Sequence, residues 1–383
     1  MSASPTEGDD GDPSGSFPDL PRRFVDSASG MPLSATARAA LAGAWGSGWA
    51  DPQRRYPSGR AARRLLDTAR SSVARHFGVP TAGVFFTGGY EDAVGLALAA
   101  AGGGPIHVSA VEDLAVLRTT DLWAARGTPV TVVGVDHSGT IDPEDLAGVP
   151  GTVVVQDGNI EVGVRQPLAA VRAAAPDAQL VVDLRAVAGR TTPFDGFDIA
   201  VADPRMWGGP PGVGVVLVRD PGRFLPEVAR TDGHGGIESP YPPIVLIAAA
   251  ALALESADSG WERLAGPMAV LHDGVARLPD STIVGERASQ RLPYLAMATF
   301  WYVPADELVD RLAARGWATA SGASCTSDTR RPQHVLTAMG ASTHGSLRVS
   351  PTPGADEALL AELVADVTDV VTSIRAENGT AGL

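Results

Sequence analysis

Between residues 84 and 219, short runs rich in β-branched residues alternate with longer stretches in which apolar residues recur every three or four positions. The runs have the character of strands buried on both faces and the longer stretches that of helices with one apolar side. Their alternation predicts a mostly parallel sheet covered by helices. The expected strands are 84–87, 106–110, 129–134, 152–156, 179–183, 198–202 and 213–219. Among the helices, 61–77 places Leu65, Leu66, Ala69, Val73 and Phe77 on one face, and Gly78 follows as its left-handed cap.

After Arg230 the pattern changes. A Gly/Pro-rich connection over 231–243 leads into an apolar helix at 244–254, then short strands near 296–301 and 346–350. The last helix, 356–371, carries Leu359, Leu360, Leu363, Val364, Val367 and Val371 on one side. The expected organisation is an acidic disordered tail over 1–22, a large α/β domain over 23–240 and a smaller α+β domain over 241–383, with 23–35 packing against the latter. No internal repeat is present.

Charge narrows the function. The formal net charge is −14, from 44 acidic residues against 30 positive ones, and every positive residue is arginine. An anionic membrane surface and direct nucleic-acid binding are therefore disfavoured as partners. No apolar run approaches the roughly 18 residues of a spanning helix. The Gly/Ser/Pro-rich segment 1–21 lacks the basic and apolar regions of a signal peptide, so a cytoplasmic location is expected. Cys325 is the single cysteine, which rules out an intramolecular disulfide and a Cys-rich metal site; the seven His are scattered, and no metal is expected. Without lysine, no side chain offers an amine for a Schiff base.

Several motifs follow one another in a telling order. Phe24-Val25-Asp26-Ser27-Ala28 and Tyr56-Pro57-Ser58-Gly59-Arg60 precede Phe86-Thr87-Gly88-Gly89-Tyr90-Glu91. Asp157-Gly158-Asn159-Ile160-Glu161-Val162-Gly163, Val181-Val182-Asp183 and Gly209-Pro210-Pro211-Gly212 come next, and Ser321-Gly322-Ala323-Ser324-Cys325-Thr326-Ser327 and Ser346-Leu347-Arg348-Val349-Ser350 close the series. From about Arg23 onward this order resembles the cysteine desulfurases, the class V aminotransferase branch of the fold-type-I pyridoxal-phosphate enzymes. The resemblance implies a fold-type-I large domain with a mostly parallel seven-stranded sheet and a smaller α+β domain. It also implies pyridoxal phosphate as the family's cofactor, a two-fold dimer, and roles for particular residues. Gly88, Gly89 and Tyr90 would form the phosphate turn, Asn159 would lie near the ring, and Asp183 would face its nitrogen. Cys325 would accept sulfur, and Arg348 would bind the substrate carboxylate.

Elsewhere this chain departs from the family's pattern. Arg205, or Met206 under another alignment, stands at the aldimine lysine, and an arginine stays protonated and cannot form an imine. Asp113 follows Glu112 where the family has a ring-stacking histidine, Ala186 replaces a glutamine, and Tyr90 is bulky for a phosphate turn. The segment resembling the family's cross-subunit phosphate contact is Ile237-Glu238-Ser239-Pro240. No covalently held cofactor is expected, and pyridoxal phosphate only noncovalently if at all. Bland readings stand beside the functional ones. Asp183 can be a cap or an ion-pair partner, Asn159 a turn residue, Arg348 a structural ion pair, and Cys325 a small hydrophobe.

The neighbours of Cys325 are small and polar, with Arg330 and Arg331 nearby, a setting that favours an accessible thiolate. The expected function is a desulfurase-like persulfide carrier or sulfurtransferase acting through Cys325, without pyridoxal-phosphate chemistry. Such a chain would take sulfur from a donor and give it to an acceptor protein, as a homodimer or as a heterodimer with an active desulfurase. The alternatives are a non-catalytic scaffold or regulatory subunit, and an enzyme that binds pyridoxal phosphate noncovalently. The apolar helix 244–254 is expected to support the dimer surface.

Overall fold

Buried β-branched runs bounded by turn residues become strands, and the stretches between them become helices, in a computed structural model that describes residues 20–100, 104–228, 230–257, 260–321 and 333–380. Helices α1 (Ala35–Gly48) and α2 (Pro57–Phe77) lead into β1 (Val84–Thr87), α3 (Tyr90–Leu98), β2 (Ile106–Ser109), α4 (Leu114–Ala125) and β3 (Val130–Val133). Then come β4 (Thr152–Gln156), α5 (Leu168–Ala174), β5 (Gln179–Asp183), β6 (Ile199–Ala202), β7 (Gly214–Val218) and α6 (Ile244–Glu255). The remainder is α7 (Ala265–Ala276), β8 (Ser281–Ile283), β9 (Ala296–Phe300), α8 (Ala305–Ala313), α9 (His334–Ala338), β10 (Leu347–Val349) and α10 (Glu357–Glu377).

The seven-stranded sheet has the order β1-β7-β6-β5-β4-β2-β3, and β7 alone runs against its neighbours. Its strands are Val- and Ile-rich because helices cover both faces, as a mostly parallel sheet requires. With β7 antiparallel to both β1 and β6, the ends of β1, β2, β4, β5 and β6 all open on one edge, where α/β sheets hold their ligands. Gly214 is needed at that edge, since a Cβ there would lie 2.0 Å from the Gly89 carbonyl oxygen. A second, antiparallel sheet has the order β10-β9-β8, and Phe24 and Asp26 bridge to Ala318 and Ser350 beside it.

Two sequence expectations change here. Leu20, within the stretch read as tail, is buried, and Arg22 bonds to Glu362 of α10. Helix α6 is covered by its own chain. It packs against α1 and α2, and nine of its twelve residues are buried, so its apolar character needs no partner subunit. Three exposed aromatic residues, Trp45, Trp49 and Tyr56, lie on α1 and the turn after it, and Tyr241, Trp301 and Tyr302 are exposed elsewhere. Among the described residues no single helix is long and apolar enough to cross a membrane.

Candidate functional site

The open edge of the large sheet gathers the residues that the sequence singled out. Tyr90 begins α3 directly after β1, Asp113 caps α4 after β2, and Asp183 ends β5. Asp203 follows β6 and caps the short helical turn that carries Arg205. Local chemistry fixes each cap: Asp113 Oδ1 accepts from the Ala115 N–H at 2.8 Å, and Asp203 Oδ1 from the Arg205 N–H at 3.1 Å.

The centre is closed on itself. The Tyr90 hydroxyl donates to Asp183 Oδ2 at 2.6 Å, and Asp183 Oδ1 accepts from the Arg185 N–H at 2.8 Å. The Arg185 guanidinium lies 4.7 Å from the centre of the Tyr90 ring. It pairs with Asp113 at 2.6 Å and reaches Asp203 at 3.5 Å. Arg205 turns away from any lysine-like role and grips Asp203 at 2.7 Å. Tyr90, Asp183 and Asp203 are all buried.

Burial dominates the electrostatics. It pushes the Asp183 carboxyl up to about 6, against the lowering effects of the Tyr90 hydrogen bond and the Arg185 charge. Burial also holds the Tyr90 phenol well above its ordinary value, and the Asp183 charge adds to this. Glu112 behaves likewise: burial raises its pKa well above the carboxylate range, and the nearby Asp183 charge raises it further. One of its oxygens accepts from the Gln156 N–H at 2.8 Å, while the other meets no partner among the described residues.

Other expected site residues serve the backbone. Asn159 donates to the Val111 carbonyl at 2.9 Å and accepts from the N–H groups of Glu161 and Val162, the turn role that was its bland reading. Ala186 is buried, and its carbonyl accepts from the Tyr294 hydroxyl at 2.8 Å. Arg348 is a buried ion-pair hub. It contacts Asp26 and Glu161 at 3.1 Å each and donates to Ser29 Oγ at 2.6 Å. Glu238, in the segment likened to a cross-subunit contact, points into its own chain. It forms a buried pair with Arg70 at 2.6 Å and accepts from the Phe86 N–H at 2.6 Å. Cys325 lies outside the described residues.

The residues present do not fit pyridoxal phosphate. The Asp183 carboxylate is already hydrogen-bonded through both oxygens, and no lysine exists to hold an aldehyde. At Gly88 and Gly89 the first turn of α3 carries Glu91 and Asp92, and a Cβ at Gly88 would lie 2.7 Å from Asp92 Oδ2. Two carboxylates at a helix N-terminus oppose a phosphate where such termini otherwise attract one.

Arg185 and Asp203 are the members of this centre that sequence reasoning missed. The signal was present: Asp113, Asp183 and Asp203 all end or follow apolar strands, buried carboxylates need counter-charge, and Arg185 is two residues from Asp183.

Comparison with known proteins gives this geometry its context. The family model for aminotransferase class-V matches residues 50–357. An IscS-like cysteine desulfurase of Mycobacterium tuberculosis is 30% identical over 324 residues, covering 77% of this chain and 82% of that protein. A cysteine desulfurase IscS of Methanosarcina thermophila is 26% identical over 354 residues, covering 85% and 86%. A NifS-like protein from Rickettsia africae has the same fold, with a TM-score of 0.80 at 19% identity over 91% of this chain and 98% of that one. The chain therefore belongs to the class V aminotransferase family and, within it, is cysteine desulfurase-like.

Proposed function

We propose that this protein is a cofactor-independent persulfide carrier that acts through Cys325 in the cytoplasm, where thiols stay reduced. The observation that carries the reading is the Tyr90 side chain itself, which sits buried against the family's ring-binding carboxylate and donates to Asp183 Oδ2, while Asp183 Oδ1 accepts from the Arg185 N–H. Thiol exchange needs no such centre. The Cys325 thiolate attacks the outer sulfur of a donor persulfide, the donor's S–S bond breaks, and its thiolate leaves. A new S–S bond then holds the sulfane sulfur on Cys325, with no net oxidation or reduction.

Ser321 and Gln333, the described residues on either side of Cys325 in sequence, lie together beside strand β10: Gln333 donates to the Ser321 carbonyl and to Ser346 Oγ. Incubation with a low-molecular-weight persulfide, or with an active desulfurase and cysteine, is expected to add one sulfur atom to the peptide containing Cys325. Cys325→Ser abolishes the adduct. A wild-type protein that takes up no sulfur and whose Cys325 resists alkylation overturns the proposal.

A second reading rests on Arg348. Asp26, Glu161 and Ser29 engage both terminal nitrogens of this buried arginine within its own chain, which suits a scaffold or regulatory subunit that handles no free amino acid. Noncovalent use of pyridoxal phosphate would require Tyr90 to release Asp183. In either working reading the chain pairs with itself or with an active desulfurase.

A further inference from the structure

We infer that the acidic N-terminal segment of this chain docks on an arginine basin displayed by the turn between α1 and α2, and covers it. The charges of the two halves match. Residues 52–66 carry Arg54, Arg55, Arg60, Arg63 and Arg64 and no acidic residue, in a chain of net charge −14. Residues 1–21 carry Glu7, Asp9, Asp10, Asp12 and Asp19 and no arginine. Four of the five arginines, with Pro52 and Gln53, line a surface depression of about 600 Å³. The turn that presents them is fixed. A Cβ at Gly59 would lie 2.5 Å from the Arg54 carbonyl oxygen, Arg60 donates to the Arg55 carbonyl, and Gln53 Nε2 donates to the Asp232 carbonyl at 3.0 Å.

Around α10 the chain neutralises its exposed arginines with its own acids: Arg311 is held by Glu307 and Glu377, and Arg315 by Asp366 and Asp369. The basin is different. Arg54 and Arg63 have one carboxylate each, from Asp51 and Asp67, and Arg55, Arg60 and Arg64 meet none among the described residues. Guanidinium groups gathered without counter-charge select carboxylates. The occupant that brings matching charge on a tether is segment 1–19, which lies outside the described residues. Buried Leu20 anchors that segment to the fold. From this anchor the acidic stretch 7–12 can extend about 26–47 Å, comparable with a fold whose radius of gyration is about 21 Å. A tether of this kind raises the local concentration of the carboxylates to about the millimolar range, so ion pairs that are weak singly act together. Docked, the segment withholds the basin from other acidic proteins. This inference does not rest on sulfur transfer, because Cys325 takes no part in it, and failure of either proposal leaves the other standing.

Charge neutralisation in the full chain provides the test. One variant is Glu7→Gln/Asp9→Asn/Asp10→Asn/Asp12→Asn in the segment, and a second adds Arg54→Gln/Arg55→Gln/Arg60→Gln in the basin. The probe is a synthetic peptide of residues 1–19, labelled at its terminal amine and read by fluorescence anisotropy at low salt. The neutral-segment variant should bind the peptide about tenfold or more tighter than wild type, whose basin is already filled. Adding the basin substitutions should remove that gain, as should about 1 M salt, where the Debye length is about 3 Å. Phenylglyoxal footprinting read by mass spectrometry supplies a measurement without the peptide. Arg54, Arg55 and Arg60 should be modified several-fold faster in the neutral-segment variant than in wild type, with Arg311 unchanged. Equal binding of the peptide to wild type and to the neutral-segment variant would mean a basin open to another acidic occupant, and would overturn the inference. So would a neutral-segment variant that binds no peptide, or a footprint the same in both proteins.

Discussion

Glu238→Ala should destabilise the protein strongly, although Glu238 sits in the segment that the family resemblance assigns to contact with another subunit. In the structure, Glu238 accepts from both terminal nitrogens of Arg70, at 2.6 and 2.8 Å, and from the Phe86 N–H at 2.6 Å. Both side chains of the pair are almost fully buried, at 4% and 2% exposure, so solvent cannot take over when one is removed. Breaking such a pair costs about 3–5 kcal/mol, mostly because the remaining charge stays buried. The stranded Phe86 N–H belongs to the same loss. At about 2 °C per kcal/mol for a chain of this size, the thermal midpoint should fall by about 6–10 °C. Urea denaturation followed by circular dichroism measures the loss directly. The double variant Arg70→Met/Glu238→Leu, which leaves no buried charge, should recover to within about 2 kcal/mol of wild type. A Glu238→Ala loss below about 1 kcal/mol would refute the reasoning, as would a loss that vanishes at low protein concentration.

Asp183 should give the protein a stability that declines between pH 4 and 6. Its folded pKa of about 6 lies above the unfolded value near 3.9. The contribution is therefore fully present below about pH 4 and lost as pH rises through 6, a fall of about 3 kcal/mol. The wild-type minus Asp183→Asn stability difference should shift by that amount in urea titrations at pH 4 and 7, and a flat difference would count against the buried-carboxylate account. Light scattering should report a dimer, and Trp45→Glu/Trp49→Glu should yield a monomer with unchanged circular dichroism, since Trp45 on α1 and Trp49 directly after it are both exposed. A wild-type monomer at micromolar concentration would contradict this.

How much of this was legible in the sequence depends on what each feature required. Strands 84–87, 152–156 and 179–183 were read with their observed limits, because β-branched runs there end at residues that turn the chain. Strand β8 was not read, since three residues at a sheet edge, only one of them buried, give no periodic signal. Helix α1 was missed for a related reason. Its Ala/Gly-rich sequence and exposed Trp45 show no apolar stripe, and it depends on close approach to α6 at Gly48, where a Cβ would lie 2.7 Å from Val245. Asp113, Asp183 and Arg205 were found from the resemblance to the family. Their partners were not, because the Tyr90–Asp183 bond spans 93 positions and the Arg348–Asp26 pair 322, and only the folded sheet brings such residues together. For Arg348 the sequence admits both a carboxylate clamp and an ion pair, and in the fold it contacts two carboxylates, Asp26 and Glu161.

The central claim, that this desulfurase-like fold carries no pyridoxal-phosphate chemistry, is tested most directly by sulfide release from free cysteine. The assay uses saturating pyridoxal phosphate and compares wild type with Arg205→Lys. Neither protein should release sulfide above the protein-free control. The lysine variant should fail because Tyr90 still holds Asp183, and because Glu91 and Asp92 still place two acidic residues in the first turn of α3. Cysteine-dependent sulfide production by either protein, with a visible absorption band that borohydride removes, would contradict the account.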